Sequence, residues 1–146
     1  MKFDIDAFLK GKVRMGTVKV PNTDMEIVLK ELGAIERLKI INEYEDITAA
    51  LMEIEKDAIL AVERYKAGKA TNEDILLIAR YNSIAAPYYS ALISACTVDP
   101  HLEPQDIEKI FNAINDLELQ QFILDCAPYF SPPNIDDLKK NNGGRT

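Results

Sequence analysis

The side chains best able to do chemistry cluster in sequence near residue 100. The single histidine, His101, lies in the stretch Asp99-Pro100-His101-Leu102-Glu103-Pro104, and Ser90, Ser94 and Cys96 precede it. A hydroxyl or thiol beside an imidazole is the arrangement of nucleophilic acyl transfer, and a third group must orient the base. No Gly-x-Ser-x-Gly elbow occurs here, and no orienting partner is evident. A hydrolase built around His101 would lose its activity on His101→Ala; the plainer reading is an exposed loop histidine. Metal binding would need several nitrogen or sulfur ligands at fixed spacing, and neither Cys-x-x-Cys nor His-x-x-x-His is present. Carboxylate pairs such as Asp4 with Asp6, or Glu53 with Asp57, resemble acid–base couples. With 24 acidic residues such pairs arise by chance, and solvated helix faces explain them. The six glycines are scattered, so no phosphate-cradling loop forms. The residues thus assign no catalytic, metal-binding or cofactor-binding position and imply no cofactor, as in a non-enzymatic protein.

The totals narrow the partners. The chain has 146 residues, 47% hydrophobic and 28% charged, which suits one globular domain. Seventeen basic against 24 acidic residues give a net charge of −7. Nucleic acid and acidic lipid surfaces call for a basic stripe, so neither is expected as a partner. Cys96 and Cys126, each among apolar neighbours, read as small buried thiols of a reducing compartment. The start, Met-Lys-Phe-Asp-Ile-Asp-Ala-Phe, carries acids where a signal peptide has an apolar run, so a cytoplasmic location is expected.

The elements that position these residues centre on the stretch from Asn72 to Val98. Its apolar side chains fall all round a helical wheel, which predicts a helix enclosed by protein. Arg80, Asn82, Ser83, Ser90 and Ser94 interrupt it too often for a membrane span. Pro87 removes an amide, which predicts a kink or break over residues 83–87. Before it, residues 4–9 suit one helical turn ended by Gly11. Alternation from Val13 to Val20, turn chemistry at Pro21–Asp24, and a second alternation with Met25, Ile27 and Leu29 on one face predict a β-hairpin. Ile35, Leu38 and Ile41 recur at helical spacing with Glu36, Arg37 and Lys39 outside. A longer helix follows, whose stripe runs from Ile47 through Leu51, Ala58 and Ala61 to Tyr65, stopped by Gly68. Thr71-Asn-Glu-Asp74 reads as a capping box. Pro104 fits the first turn of the next helix, and Asn115-Asp116 caps the last, after which Pro128, Pro132 and Pro133 forbid regular structure. The expected fold is α+β and predominantly α: one globular domain over residues 1–130, its N-terminal hairpin (13–32) packed on a bundle of about five helices (34–127). Residues 131–146 are expected to form a flexible C-terminal tail.

A helical module without reactive groups acts by surface contact. Candidate partner-binding residues are Tyr88 and Tyr89 beside Pro87, and Tyr129 and Phe130 set between prolines. Each pair has two readings, an exposed contact surface or a core position, the latter capping the last helix in the case of Tyr129 and Phe130.

Two blocks carry a family resemblance. Thr17 to Leu38 reads as strand, turn, strand and a helix start of Glu-Leu…Glu-Arg type; Ala91 to Pro100 leads through a short loop to Glu103-Pro-Gln-Asp-Ile-Glu-Lys-Ile. In this order and separation, across roughly Val18 to Phe130, they resemble the tail assembly chaperones of bacteriophages with long, flexible tails. The motifs are patterns of apolar and charged types rather than a catalytic signature, and the long acidic helix over 46–66 and Pro87 depart from the family pattern. The resemblance implies a virion-assembly helper that binds the tape measure protein in the host cytoplasm, keeps it soluble and recruits tail-tube subunits. Such proteins are absent from the finished virion. It also implies ribosomal frameshifting: Lys139-Lys140-Asn141 is encodable by a slippery heptamer, and the longer product would be a further partner, as would a second copy in a homo-oligomer. The competing reading is a helical adaptor or regulator of another folded protein.

Overall fold

A computed structural model describes residues 2–131. The expectations of a flexible tail and of slippage at Lys139–Asn141 fall, Ser131 apart, outside the described residues.

The hairpin forms where the alternation places it. Strands β1 (Met15–Lys19) and β2 (Glu26–Lys30) pair antiparallel with Val18 opposite Ile27. At the turn Asn22 takes φ 63°, the left-handed conformation that asparagine tolerates, and the Val20 amide donates to the Met25 carbonyl. Val18, Ile27 and Leu29 enter the core, whereas Met25, at the turn, stays exposed. A third strand, β3 (Thr97–Asp99), adds antiparallel to β2 and makes the sheet order β1-β2-β3. The sheet is thus larger than the hairpin read from sequence.

Five helices follow the hairpin, as expected, and one precedes it. That first helix, α1 (Ile5–Lys12), is capped by the Asp4 side chain and runs through Gly11, a turn beyond the expected stop. Next, α2 (Ala34–Glu43) is rotated relative to the expected face. Ile35 and Leu38 point to solvent, while Arg37 turns inward. Arg37 Nε donates to the Phe130 carbonyl at 2.7 Å, and Nη2 donates to Leu32 and Ser131 carbonyls at 3.2 and 3.3 Å. One side chain therefore ties the segment after β2 to the last carbonyls of the final helix, so its fork outweighs the apolar spacing in choosing which face of α2 turns inward.

Helix α3 (Glu45–Lys66) packs along α4 (Asn72–Cys96); Leu51, Ala58 and Ala61 of the first and Ile78 and Ala85 of the second are buried. Between them Gly68, at φ 72°, ends α3 in a Schellman motif: Gly68 donates to the Tyr65 carbonyl and Lys69 to that of Arg64. The capping box at Thr71 is present, the Asp74 amide donating to Thr71 Oγ1 and the Thr71 amide to the Asp74 carboxylate. Asp74 also receives Arg64 Nε and Nη2 at 2.9 and 2.7 Å. These donors hold its carboxyl well below the ordinary carboxylate value of 3.8, the Arg64 hydrogen bonds first and the Thr71 amide second. A depressed pKa gives stability that is full above pH 3.8 and fades as pH falls toward the folded value. Melting temperatures of the wild type and Asp74→Asn should accordingly differ most at neutral pH and converge as pH drops below 3.8.

α4 departs from expectation twice. It runs unbroken through Pro87, whose missing amide costs Ser83 a donor at an exposed residue where water serves instead. It is also enclosed only over its second half. Near its start Leu76 is 69% exposed, while Leu92, Ile93 and Cys96 are buried under the sheet. The last two helices, α5 (Pro104–Asn112) and α6 (Asp116–Phe130), complete the cover. Pro104 occupies the first turn of α5 and Asn115 caps α6 through a box with Glu118. α6 also runs through its proline, Pro128, and ends three residues later than expected. Its buried Leu119, Phe122, Cys126 and Phe130 follow helical spacing and, with Ile107, Phe111 and the sheet, make the main core.

Candidate partner-binding surfaces

The residues around His101 form a folded corner. The buried Thr97 hydroxyl accepts the Leu102 amide at 2.8 Å and donates to the Ser94 carbonyl at 2.8 Å. His101 Nδ1 lies 3.2 Å from the Thr97 carbonyl, and Nε2 lies 3.5 Å from the Glu103 carboxylate. Ser94 Oγ donates to the Leu102 carbonyl and Ser90 Oγ to that of Pro87, so neither hydroxyl is hydrogen-bonded to His101. Burial pushes the Cys96 thiol up to about 12 and Cys126 higher still, which leaves both as protonated, unreactive thiols near neutrality. Among the described residues no three His, Cys, Asp or Glu side chains are grouped to hold a metal ion. Thr97→Val keeps the shape of this corner but strands the Leu102 amide. It should destabilise by about 1–3 kcal/mol, read by chemical denaturation.

Of the four candidate contact residues, three come together. The rings of Tyr44, Tyr88, Tyr89 and Phe130 form a ladder with centroids 6.1, 5.3 and 5.8 Å apart in that order. Phe130, 6% exposed, is its buried foot, and so takes the core-capping rather than the exposed position. Tyr88 and Tyr89 are half-buried, and burial raises both hydroxyls above their ordinary range, Tyr89 most. They are neutral phenols, and the Tyr89 hydroxyl is turned to that of Tyr81 within the chain. Tyr129 turns away onto the sheet. Its hydroxyl covers Gly16, where any side chain would collide with it, and the Arg14 guanidinium stacks 5.1 Å from its ring centre.

The largest exposed apolar side chains lie elsewhere. Met52 and Ile59, 76% and 54% exposed, are seven apart on α3 and share its outer face with Glu55 and Glu63. Leu60 and Leu76 add to this helical hairpin, Ile35 and Leu38 line α2, and Phe3, Ile5, Phe8 and Leu9 project from α1. The sequence reading of one stripe on α3 missed this face; the only signal for it is the pairing of Met52 with Ile59, seven apart and outside that stripe. A groove of about 480 Å³ between α4, α5 and α6 is lined by exposed Ser83 and Asn112, half-buried Pro87 and buried Asn82, Phe111 and Leu119. Asn82, 5% exposed, donates there to the Asp116 carboxylate at 2.8 Å.

No protein-family model, curated protein or solved structure matches this chain. Its surfaces are therefore read on their own chemistry. No helix among the described residues is long and apolar enough to cross a membrane.

Proposed function

We propose that the chain is a tail assembly chaperone of a long-tailed bacteriophage, which binds the tape measure protein, keeps it soluble and hands it to tail-tube subunits. The supporting observation is the distribution of apolar side chains on an acidic body. A chain of net charge −7 displays Met52 and Ile59 on the outer face of α3, flanked by Glu55 and Glu63. An amphipathic client helix can lay its apolar stripe on such a face, while the surrounding negative charge keeps the complex dispersed. The resemblance carried by Thr17–Leu38 and Ala91–Ile110 supplies the identity of that client. Competition from the tube protein is sufficient for release, so the reading needs no nucleotide.

Co-expression with a tape measure fragment tests it. The fragment, insoluble alone, should appear in the soluble fraction and co-purify with the chain. A fragment that stays insoluble and unbound would refute the reading.

A further inference from the structure

The groove between α4, α5 and α6 collects acceptors that nothing in the chain fills. Two carboxylates line it, the half-buried Glu108 and the exposed Asp116, and no lysine, arginine or histidine does. Neither carboxylate is ion-paired among the described residues. Ser90 Oγ lies 3.4 Å from Glu108 but donates to the Pro87 carbonyl at 2.9 Å. A half-buried carboxylate without a cation has given up part of its hydration for little in return.

Two neutral oxygens add to this. Asn82, 5% exposed, donates through Nδ2 to the Asp116 carboxylate, and its own Oδ1 accepts no hydrogen bond among the described residues. No fully enclosed side-chain oxygen or nitrogen there lacks a partner, so Oδ1 is open, and the groove is the space that Asn82 lines. The Ser83 carbonyl is the second. A helix carbonyl points along the chain toward the residue four ahead, here Pro87, which has no amide to give. Ser83 and Pro87 both line the groove, so the orphaned carbonyl lies on its wall. Against these acceptors stand two neutral donors, the exposed Ser83 hydroxyl and Asn112 amide. Phe111 and Leu119 supply an apolar wall beside them.

We infer that this groove receives an arginine side chain of a partner protein, its guanidinium on the Ser83 carbonyl, Asn82 and Glu108 and its aliphatic stem along Phe111 and Leu119. A guanidinium carries five N–H donors and no acceptor, on a stem that packs on apolar surface, which complements the groove in both charge and hydrogen bonding. At about 480 Å³ the groove has room for that side chain and an apolar neighbour from the same segment. A second copy is the poorer occupant. Of its described arginines, Arg14, Arg37 and Arg64 are held by acceptors of their own chain, and Arg80 is carried by α4, itself a wall of the groove. Pairing through Arg80 would set one concave face against another and bring the carboxylates of both copies together, which is repulsive. The inference lies on α4 to α6 rather than on the outer face of α3, goes beyond the tape measure reading and holds equally for an adaptor.

The test is amide NMR of the full ¹⁵N-labelled chain titrated with acetyl-Leu-Arg-Leu-amide and with the same peptide carrying citrulline in place of arginine. Citrulline keeps the shape and loses the charge. The arginine peptide should shift the Ser83, Phe111 and Asn112 amides, and the citrulline peptide should bind about tenfold more weakly or worse. Glu108→Gln keeps the side chain's size and removes its charge, and should weaken binding of the arginine peptide about tenfold. Pro87→Ala gives the Ser83 carbonyl back its helical donor without changing charge. Binding should then weaken about threefold or more while the melting temperature holds or rises. Equal binding of the citrulline peptide, shifts confined to other elements, undiminished binding by both variants, or concentration-dependent shifts at the groove without peptide would each overturn the proposal.

Discussion

Phe122→Ala is expected to destabilise the fold by about 3–5 kcal/mol, the range for emptying a large buried aromatic site. Phe122 has no solvent exposure and meets Phe111 edge-to-face, with centroids 6.2 Å apart at 77°. It lies where α5, α6 and the sheet converge, so the surrounding elements cannot all relax into the space it leaves. Against a total of about 5–15 kcal/mol for a domain, this is a large fraction. For a chain of this size it corresponds to a fall in melting temperature of roughly 6–20 °C. Leu124→Ala is the control two residues away. Leu124 is 60% exposed on the opposite side of α6, and its loss should stay within about 0.5 kcal/mol. Calorimetry of the two variants separates core packing from any general sensitivity of α6.

The second large effect belongs to a charged residue. Arg37→Met keeps the aliphatic stem but leaves the Leu32, Phe130 and Ser131 carbonyls without their shared donor. Hydrogen bonds to a charged group contribute about 1.5–3 kcal/mol each, and three on one guanidinium add less than their sum because the half-buried site admits water when the fork is gone. A net loss of about 2–3 kcal/mol is expected. Arg37→Lys should recover only part of it, since an ammonium cannot span three carbonyls in the geometry of a planar fork. Hydrogen exchange should quicken at the C-terminal turn of α6 and at the Leu32 amide, which donates to the Tyr129 carbonyl at 2.7 Å. Unchanged exchange there would show that Arg37 is not the tie between β2 and α6.

How much of this was readable in the sequence follows from the range of each interaction. The hairpin, the Gly68 stop, the capping boxes at Thr71 and Asn115 and the buried cysteines depend on residues a few positions apart, and their patterns stand in the sequence. The inward turn of Arg37 depends on carbonyls more than ninety residues away, which no local spacing reveals. β3 was hidden because Thr97 and Val98 continue the apolar run of α4, and only pairing with β2 distinguishes strand from helix there. The two prolines misled for a common reason. A lost helical bond is cheap when the orphaned carbonyl belongs to an exposed residue, as Ser83 and Leu124 are. Of the candidate contacts, the sequence left an exposed and a core reading open for each pair, and only the packing of Phe130 against the main core selects the core reading for it. The outer face of α3 was missed because attention to one apolar stripe conceals a second, shorter one.

The account rests on exposed apolar side chains of α3 as the working surface, and a paired substitution measures that directly. Met52→Glu with Ile59→Glu changes only outward-facing positions, so the melting temperature should hold to within the shift that about 0.5 kcal/mol per site allows. In co-expression with the tape measure fragment, the variant should lose most of the soluble, co-purifying fragment that the wild type retains. A folded variant that keeps the fragment soluble as well as the wild type does would contradict the account.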